Sequence, residues 1–424
     1  MNPFRLLIIN DYGIFGGGTE NRIRNFVDEI LKNKIPLQTY NVTEIHILQR
    51  FSHSEEKLYQ GNNIFFHTAK NSLHAYILAK EIIRKYNISF IQIHHLLALQ
   101  PYVLFAAKQA KVPVVWWAHD YWLLCAKRSF IDPFHATKEN LCDKAYGKTC
   151  NRCMPFRTQF KHFLWKKIVN SCDHAIAPSH ILQYIHEKNH VLNGKWSVIT
   201  PWIDPSYILL EKEQRTRDNA NFKKKKEKKK KRMLLYVGSL IEFKGAWVAA
   251  RALKKIIQRF PDTQLFFVGS DQEPGSRYRK DIEELCRRDG TLQNIFFLGK
   301  KEKEELTILY VQADIFLCPT VCMESFGLTW AEAMIAGCSI VASAIGSIPE
   351  YIQDKKTGLL FPPRDHDALA SAVITLFNDT AFAKRLGKNG QIYAQKQFAA
   401  KRAAIEVMAL YTSLAEKRKF YDHK

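Results

Sequence analysis

Nowhere in this chain does an apolar run approach the roughly 20 residues needed to cross a bilayer. The longest such stretches, for example 91–99, are broken by polar residues or histidines. The opening, MNPFRLLIIN, has only about five apolar residues before a polar turn, too short a core for a secretory signal, and lacks a small-residue cleavage site. It reads as a first β-strand, and a cytoplasmic protein is expected. No repeat of fixed period is present, which excludes a stacked-repeat architecture. Acidic residues are in short supply, with 41 Asp and Glu against 63 Lys and Arg, so the formal net charge is +22. Such a surface suits a polyanion, an anionic membrane face or a phosphorylated substrate.

At 424 residues the chain is too long for one ordinary domain, and an apolar fraction of 46% can fill two cores. Two α/β halves are legible. The first opens with a strand at 5–10, a glycine-rich loop DYGIFGGGTE and a helix to about residue 32. Further β-rich runs lie at 88–93, 112–117 and 174–177, with helical patterns at 69–86 and 101–109 between them. The second half alternates more regularly. Strands are expected at 233–237, 264–268, 294–298, 315–318, 339–342 and 358–361, and helices at 246–260, 278–289, 303–312, 328–336 and 367–377. Short strands alternating with helices predict an α/β fold with two doubly wound, Rossmann-like parallel sheets.

Between the halves, residues 211–232 carry twelve basic and four acidic side chains, a net +8. A block of like charge repels itself and cannot be buried, so it reads as a solvated linker. Adhesion to anionic lipid or a polyanion is the functional alternative. Nucleic acid is disfavoured as a partner, because the run has no interleaved aromatics on which bases stack.

The residues with the most chemistry are CPTVCMESFGLTWAEAMIAG, 318–337. Glu324 and Glu332 stand eight positions apart across a strand end, a short loop and a helix start. The intervening SFGLT offers unpaired backbone N–H groups at a helix N-terminus, which favours a phosphate. At about 1.5 Å per residue the two carboxylates span roughly 12 Å, the reach from a ribose to a sugar across a diphosphate. On spacing alone, an N-cap followed by a solvated helix face would account for the same pair.

In the form ESFGLTWAEAMIAG, however, this Glu-x7-Glu segment resembles the signature of glycosyltransferase family 4, retaining enzymes of the two-domain B-type (GT-B) fold. The segments VGSLIEFKG (237–245), FFVGSDQEP (266–274), NIFFLGKKEKEELTILYVQADIFLCPT (294–320), GSIPEYI (346–352) and GLLFPPRDHDALA (358–370) follow in the family's order. The first half joins through GGGTENRIRNF (16–26), AHD (118–120), APS (177–179) and TPWID (200–204). The resemblance implies two Rossmann-like domains facing across a cleft. It assigns Glu332 to the ribose, Glu324 to the sugar, and backbone N–H groups around Phe326, Gly327 and Leu328 to the diphosphate. Lys244 is assigned to the diphosphate by charge, Gly17 and Gly238 to close approach of the donor, and His119 to the acceptor side near the reacting sugar. No bound metal is implied for catalysis, since positive charge and a helix end stabilise the departing diphosphate. One departure stands out. Ser239 occupies a position where the family usually has arginine, and serine cannot grip a diphosphate with two parallel hydrogen bonds.

Asp365-His366-Asp367 mimics a metal motif, but precedes an apolar-periodic helix where Asp serves as an N-cap. Of the nine cysteines, Cys125, Cys142, Cys150 and Cys153 cluster in a segment that resembles a cysteine-bearing insertion found in some family members. Cys150-x2-Cys153 has the spacing of a zinc knuckle. Structural zinc and free or reversibly oxidised thiols both remain open, and the other cysteines read as packing residues. The segment 157–170 sets Phe160, Phe163, Leu164 and Ile168 against Arg157, Lys161, Lys166 and Lys167. This predicts a basic amphipathic helix, lying either on a membrane surface or on the first-domain sheet.

The expected organisation is a domain at 1–207 with the insertion at about 121–156, a Lys-rich linker at 208–232, a nucleotide-sugar-binding domain at 233–394, and a charged helix at 395–424 packing back on the first domain. The expected activity is sugar transfer from a nucleotide diphosphate sugar to a glycan, lipid-linked or surface polysaccharide, by a cytoplasmic protein peripheral to the membrane. A soluble disaccharide synthase and a non-catalytic nucleotide-sugar-binding relative are the alternatives.

Overall fold

The structure, a computed structural model, describes residues 2–14, 18–33, 40–59, 62–96, 99, 101–125, 156–203, 231–271 and 277–422. Gly17, Cys142, Cys150, Cys153 and nearly all of the expected insertion and Lys-rich linker lie outside the described residues. The described chain forms two compact units, one reaching to Trp202 and resuming at Ala400, the other running from Ile203 to Ala399.

The first unit is built on strands β1 (Asn2–Ile9), β2 (Tyr40–Gln49), β3 (Ile64–Thr68), β4 (Phe90–Ile93), β5 (Val114–Trp117), β6 (His174–Ala177) and β7 (Trp196–Val198). They form one parallel sheet in the order β3-β2-β1-β4-β5-β6-β7. Parallel neighbours need crossovers, and α1 (Gly18–Asn33), α2 (Ser72–Lys85), α3 (Leu104–Gln109), α4 (Phe156–Val169) and α5 (His180–Lys188) contribute to them. A parallel sheet is covered on both faces, so its central strands are apolar throughout: Leu6 to Ile9, and every residue of β4 and β5 except Gln92, are apolar and buried. Helix starts are set locally. Asn71 and Ser179 accept from the backbone N–H of His74 and Leu182, satisfying donors that the first helical turn leaves free.

The second unit has strands β8 (Arg232–Val237), β9 (Thr263–Val268), β10 (Ile295–Gly299), β11 (Ile315–Cys318), β12 (Ser339–Ser343) and β13 (Leu359–Phe361), parallel and in the order β10-β9-β8-β11-β12-β13. Helices α6 (Ala246–Arg259), α7 (Tyr278–Arg288), α8 (Lys303–Gln312), α9 (Leu328–Ile335), α10 (Ile348–Tyr351), α11 (His366–Asn378) and α12 (Thr380–Gln397) connect and cover the sheet. The carboxylate of Asp365 accepts from Ala368 N at 2.9 Å and starts α11, while Asp367 pairs with Lys255. This Asp-x-Asp is a helix cap.

The last helix, α13 (Ala400–Asp422), belongs to the first unit. Its Ala403, Val407, Met408 and Tyr411 are buried in the core formed by β1, β4, β5 and α1, with the Tyr411 ring stacked on Phe90 at 4.1 Å. Helix α4 departs from the stripe that its sequence suggests. Trp165 and Val169 are the buried residues, Leu164 and Ile168 are half-buried, and Phe160 and Phe163 stand 57% and 51% exposed. The expected apolar face is therefore divided between the interior and solvent. Two neighbouring aromatics, Tyr102 and Phe105, are also exposed, and α4 packs beside the short turn that carries Tyr102.

Candidate functional site

Both sheets change winding direction once, between β1 and β4 in the first unit and between β8 and β11 in the second. Doubly wound sheets bind ligands beyond the carboxyl ends of the strands at such points. The polar residues of interest lie there in each unit.

In the second unit the chain leaves β8 through Gly238 and Ser239, both half-buried. Tyr236 donates its hydroxyl to the Ser239 carbonyl at 3.0 Å, bracing this turn. A short helical turn, Glu242–Lys244, follows and ends at Gly245 with φ +73°, where a Cβ would stand 1.9 Å from the Pro319 carbonyl oxygen. Only glycine permits that approach. The contact is reinforced by Val321 N donating to Phe243 O at 3.0 Å and Thr320 Oγ1 donating to the same carbonyl. The turn after β8 is thereby fastened to the loop after β11.

That fastening brings Lys244 Nζ within 2.6 Å of Glu324 Oε2. Burial works against the Lys244 ammonium, but the adjacent Glu324 carboxylate, by its charge and its hydrogen bond, outweighs it and raises its pKa above the ordinary lysine value. The cation is therefore charged at any physiological pH. Gly346, at φ +59°, lets the loop before α10 reach Glu324, and Ser347 N donates to the Glu324 carbonyl at 2.9 Å. Burial pushes the Cys318 and Cys322 thiols up to about 12 and about 11, so both remain protonated packing groups.

Helix α9 begins at Leu328 with Gly327 as its N-cap and no side-chain cap hydrogen bond, so its first-turn N–H groups have no capping side chain. The Phe326 ring lies fully buried among Trp330, Tyr351 and Phe398, and its carbonyl accepts from Trp330 Nε1 and Ser347 Oγ. Phe326 thus anchors the loop by its side chain, and only its backbone is placed for a ligand. Glu332, half-buried on α9, accepts from the Tyr310 hydroxyl at 2.9 Å. Tyr310 was not anticipated from the sequence, because it comes from α8 and only the packing of α8 beside α9 makes it a partner.

In the first unit, Asn10 and Asp11 end β1, His94 and His95 follow β4, and His119 and Asp120 follow β5. Asn10 Oδ1 accepts from His95 N, Asn10 Nδ2 donates to Glu20, and Asp11 Oδ1 accepts from Leu99 N. His94 Nδ1 lies 2.6 Å from His119 Nε2, and the other His94 nitrogen lies 2.6 Å from Gln92 Nε2. Burial, aided by surrounding positive charge from Arg22 and His95, holds both imidazoles well below the ordinary histidine value. They are neutral at pH 7. Sequence reading singled out His119 but missed Asn10, Asp11, His94 and Arg22. Polar residues immediately after apolar strands, in Ile-Asn-Asp and Ile-His-His, were the available signal.

Gly17 and three of the four candidate zinc ligands lie outside the described residues, and Cys125 is a buried free thiol. Among the described residues no group of three or more His, Cys, Asp or Glu is arranged to hold a metal ion.

Residues 16–207 match the family model described as Glycosyltransferase Family 4, and residues 217–393 match that described as Glycosyl transferases group 1. The chain is 32% identical over 181 residues to a D-inositol 3-phosphate glycosyltransferase of Corynebacterium aurimucosum, covering 42% of each protein. It is 33% identical over 150 residues to a phosphatidyl-myo-inositol mannosyltransferase of Mycolicibacterium smegmatis, covering 35% of this chain and 36% of that protein. The chain spans about half the length of the curated relatives it matches, or less. Among solved structures, Anabaena Alr3699/HepE in complex with UDP superposes with a TM-score of 0.72 at 18% identity, over 97% of this chain and all of that one. At that identity the likeness establishes the fold, two Rossmann-like units of the GT-B type.

Proposed function

The chain belongs to glycosyltransferase family 4, and on that premise we propose that it moves a sugar, with retention of configuration, from a nucleotide diphosphate sugar to a lipid-linked or surface-polysaccharide glycan. The observation that carries this reading is the Lys244–Glu324 pair, held at the winding switch of the second sheet close to the uncapped start of α9. A diphosphate needs positive charge and N–H donors at a helix start; Lys244 supplies the first, and the first turn of α9, which no side chain caps, supports the second.

In this reading residues 233–394 are the donor-binding domain. Lys244 and the backbone N–H groups around Phe326, Gly327 and Leu328, at the entry to α9, stabilise the diphosphate as it departs. Gly238 and Ser239 line its approach from β8; Gly17, assigned to close approach of the donor by the family resemblance, lies outside the described residues. Glu324, whose free-state partner is Lys244, holds sugar hydroxyls, and a donor phosphate takes over part of the lysine's charge. Glu332, oriented by Tyr310, accepts from ribose hydroxyls. His119 serves the acceptor side within domain 1–207. Attack occurs on the face the diphosphate leaves, so no protein nucleophile is assigned, and with positive charge and a helix end taking the departing diphosphate's charge, no metal is required in this reading. Support for a nucleotide donor comes from the UDP bound to the Anabaena relative.

The acceptor side of the proposal includes an anionic membrane surface, with the protein on its cytoplasmic face. Among the described residues no helix is long and apolar enough to cross a membrane. Support comes from the exposed Phe160, Phe163, Tyr102 and Phe105, from Lys167 lying 4.7 Å over the Phe163 ring, and from the net charge of +22. For the insertion, structural zinc on Cys125, Cys142, Cys150 and Cys153 stands as a proposal against free or reversibly oxidised thiols, and Cys125 is found as a free thiol. Zinc content of the full chain, lost in Cys150→Ser, tests that assignment.

Ser239 favours a second reading, a relative that binds the nucleotide sugar without turning it over. A thermal-unfolding panel with UDP, GDP, ADP and their sugar conjugates, on wild type and Glu332→Ala, tests the donor site. A ligand at about 100 times its Kd adds roughly 2.7 kcal/mol to the state that binds it. One nucleotide should shift the wild type and not the variant. Binding without sugar release favours the second reading, and no shift with any nucleotide overturns the donor site.

A further inference from the structure

A buried hydrogen-bonded chain runs from the last helix to His119. Trp117 Nε1 lies 3.0 Å from the Tyr411 hydroxyl, Tyr411 lies 2.8 Å from Gln92 Oε1, Gln92 Nε2 lies 2.6 Å from His94 Nε2, and His94 Nδ1 lies 2.6 Å from His119 Nε2. All five side chains belong to the first unit and all are nearly or fully buried.

The direction of this chain follows from what each group can give. An indole N–H only donates, so the Tyr411 oxygen accepts from Trp117 and its own proton goes to Gln92 Oε1. The Gln92 amide then meets His94 with an N–H, so His94 Nε2 carries no proton. A neutral imidazole has one proton, which for His94 must sit on Nδ1 and point at His119 Nε2. His119 Nε2 is therefore an acceptor, and the single proton of His119 sits on Nδ1. The reverse polarity requires Gln92 to turn its amide. The Tyr411 oxygen would then receive two protons, and its own would have no acceptor among the described residues. Leaving a buried hydroxyl proton unused is the costlier arrangement.

We propose that Tyr411, acting through Gln92 and His94, fixes His119 as the Nδ1–H tautomer, so that His119 acts as a hydrogen-bond donor to a sugar hydroxyl and not as a base. The use at a sugar rests on the proposed glycosyl transfer, while the tautomer does not. Tyr411 and Gln92 are positioning residues, and they tie the last helix of the chain to the chemistry of the first unit. Nothing on α13 near Tyr411 suggests this role in sequence, since 319 residues separate Tyr411 from Gln92.

The test is the imidazole 15N and 13Cδ2 spectrum of histidine-labelled full-length protein, with His119 assigned by its loss in His119→Gln. Wild type should show the neutral Nδ1–H pattern at pH 7. Gln92→Glu presents a carboxylate that accepts from both Tyr411 and His94, so it should reverse the chain and move His119 to the Nε2–H pattern. Tyr411→Phe, which keeps the ring stacked on Phe90, should release Gln92 and give a mixture of the two. Sugar transfer should fall about tenfold in kcat in either variant, with KM for the nucleotide sugar little changed, as expected for loss of about one hydrogen bond. An Nε2–H or imidazolium His119 in wild type overturns the proposal, as does an unchanged His119 signal in a folded Gln92→Glu protein. Tautomer reversal with unchanged kcat overturns the role at the sugar and leaves the tautomer lock standing.

Discussion

Lys244 Nζ and Glu324 Oε2 are 2.6 Å apart although 80 residues separate them in the chain. Their side chains are 32% and 14% exposed, so solvent screens the attraction only in part. Removing either partner leaves the other poorly compensated. Lys244→Ala and Glu324→Ala should each cost about 1–3 kcal/mol, and the double variant less than their sum by about 1–2 kcal/mol. Urea unfolding of the four proteins measures this. Sugar release should fall by roughly 10²–10³ in Lys244→Ala, which removes a donor to developing phosphate charge.

Gly245→Ala tests the fastening that creates the pair. Its Cβ would meet the Pro319 carbonyl at 1.9 Å in a backbone conformation with φ +73°. A loss of roughly 2 kcal/mol or more is expected. Nucleotide-induced stabilisation should weaken with it, since Lys244 is displaced. An unaltered midpoint and ligand shift would mean that the loop after β11 moves aside freely.

Tyr310→Phe separates orientation from contact. The ring stays in the core, but Glu332 loses the hydroxyl at 2.9 Å. Nucleotide affinity should fall by about fivefold, against a much larger loss in Glu332→Ala, because the hydroxyl orients Glu332 and does not itself touch the nucleotide, so that only about 1 kcal/mol of binding is lost. Calorimetric titration of both variants checks the ranking.

Acid should destabilise the first unit through its buried histidines. His186 is fully buried against Trp116, Tyr121 and Trp196, and burial pushes its pKa down to about 4. A histidine with a depressed folded pKa binds fewer protons than its unfolded form, so stability is full above pH of about 6.5 and declines as pH falls toward 4. This single group accounts for a loss of about 3 kcal/mol across that window. Urea midpoints at pH 7 and pH 4.5 should differ less in His186→Leu than in wild type.

Phe160→Ser with Phe163→Ser should reduce sedimentation with phosphatidylglycerol vesicles several-fold, because these rings stand in solvent and contribute little to the core. Binding to neutral phosphatidylcholine vesicles should be weak for both proteins. Equal sedimentation of variant and wild type with anionic vesicles would remove this face from the membrane reading.

Much of the architecture is legible in the sequence because parallel strands buried on both faces are continuous apolar runs. LLII in β1, FIQI in β4, VVWW in β5 and IFLC in β11 announce themselves. Three strands do not. β2 mixes Asn41, Thr43, Glu44, His46 and Gln49 with its apolar residues, and the buried His46 finds partners in His67 and Glu44. β3 includes His67, and β7 has three half-buried residues. Helix α12 contains two glycines and many polar residues, which hides its period. The expected apolar stripe of α4 fails because a sequence period shows that a helix has apolar positions, not which of them meet a neighbour.

The sequence by itself determined the alternation that makes two doubly wound sheets, and the segment ESFGLTWAEAMIAG that carries family membership. Both are local: each depends on residues within one element or one loop. Tertiary structure alone decided that Lys244 meets Glu324, that Tyr310 meets Glu332, and that Tyr411 reaches Gln92 and, through it, His94 and His119. These are contacts between elements far apart in the chain. The strand order brings β4 beside β5 and β8 beside β11, and burial then requires every polar group caught between them to find a partner.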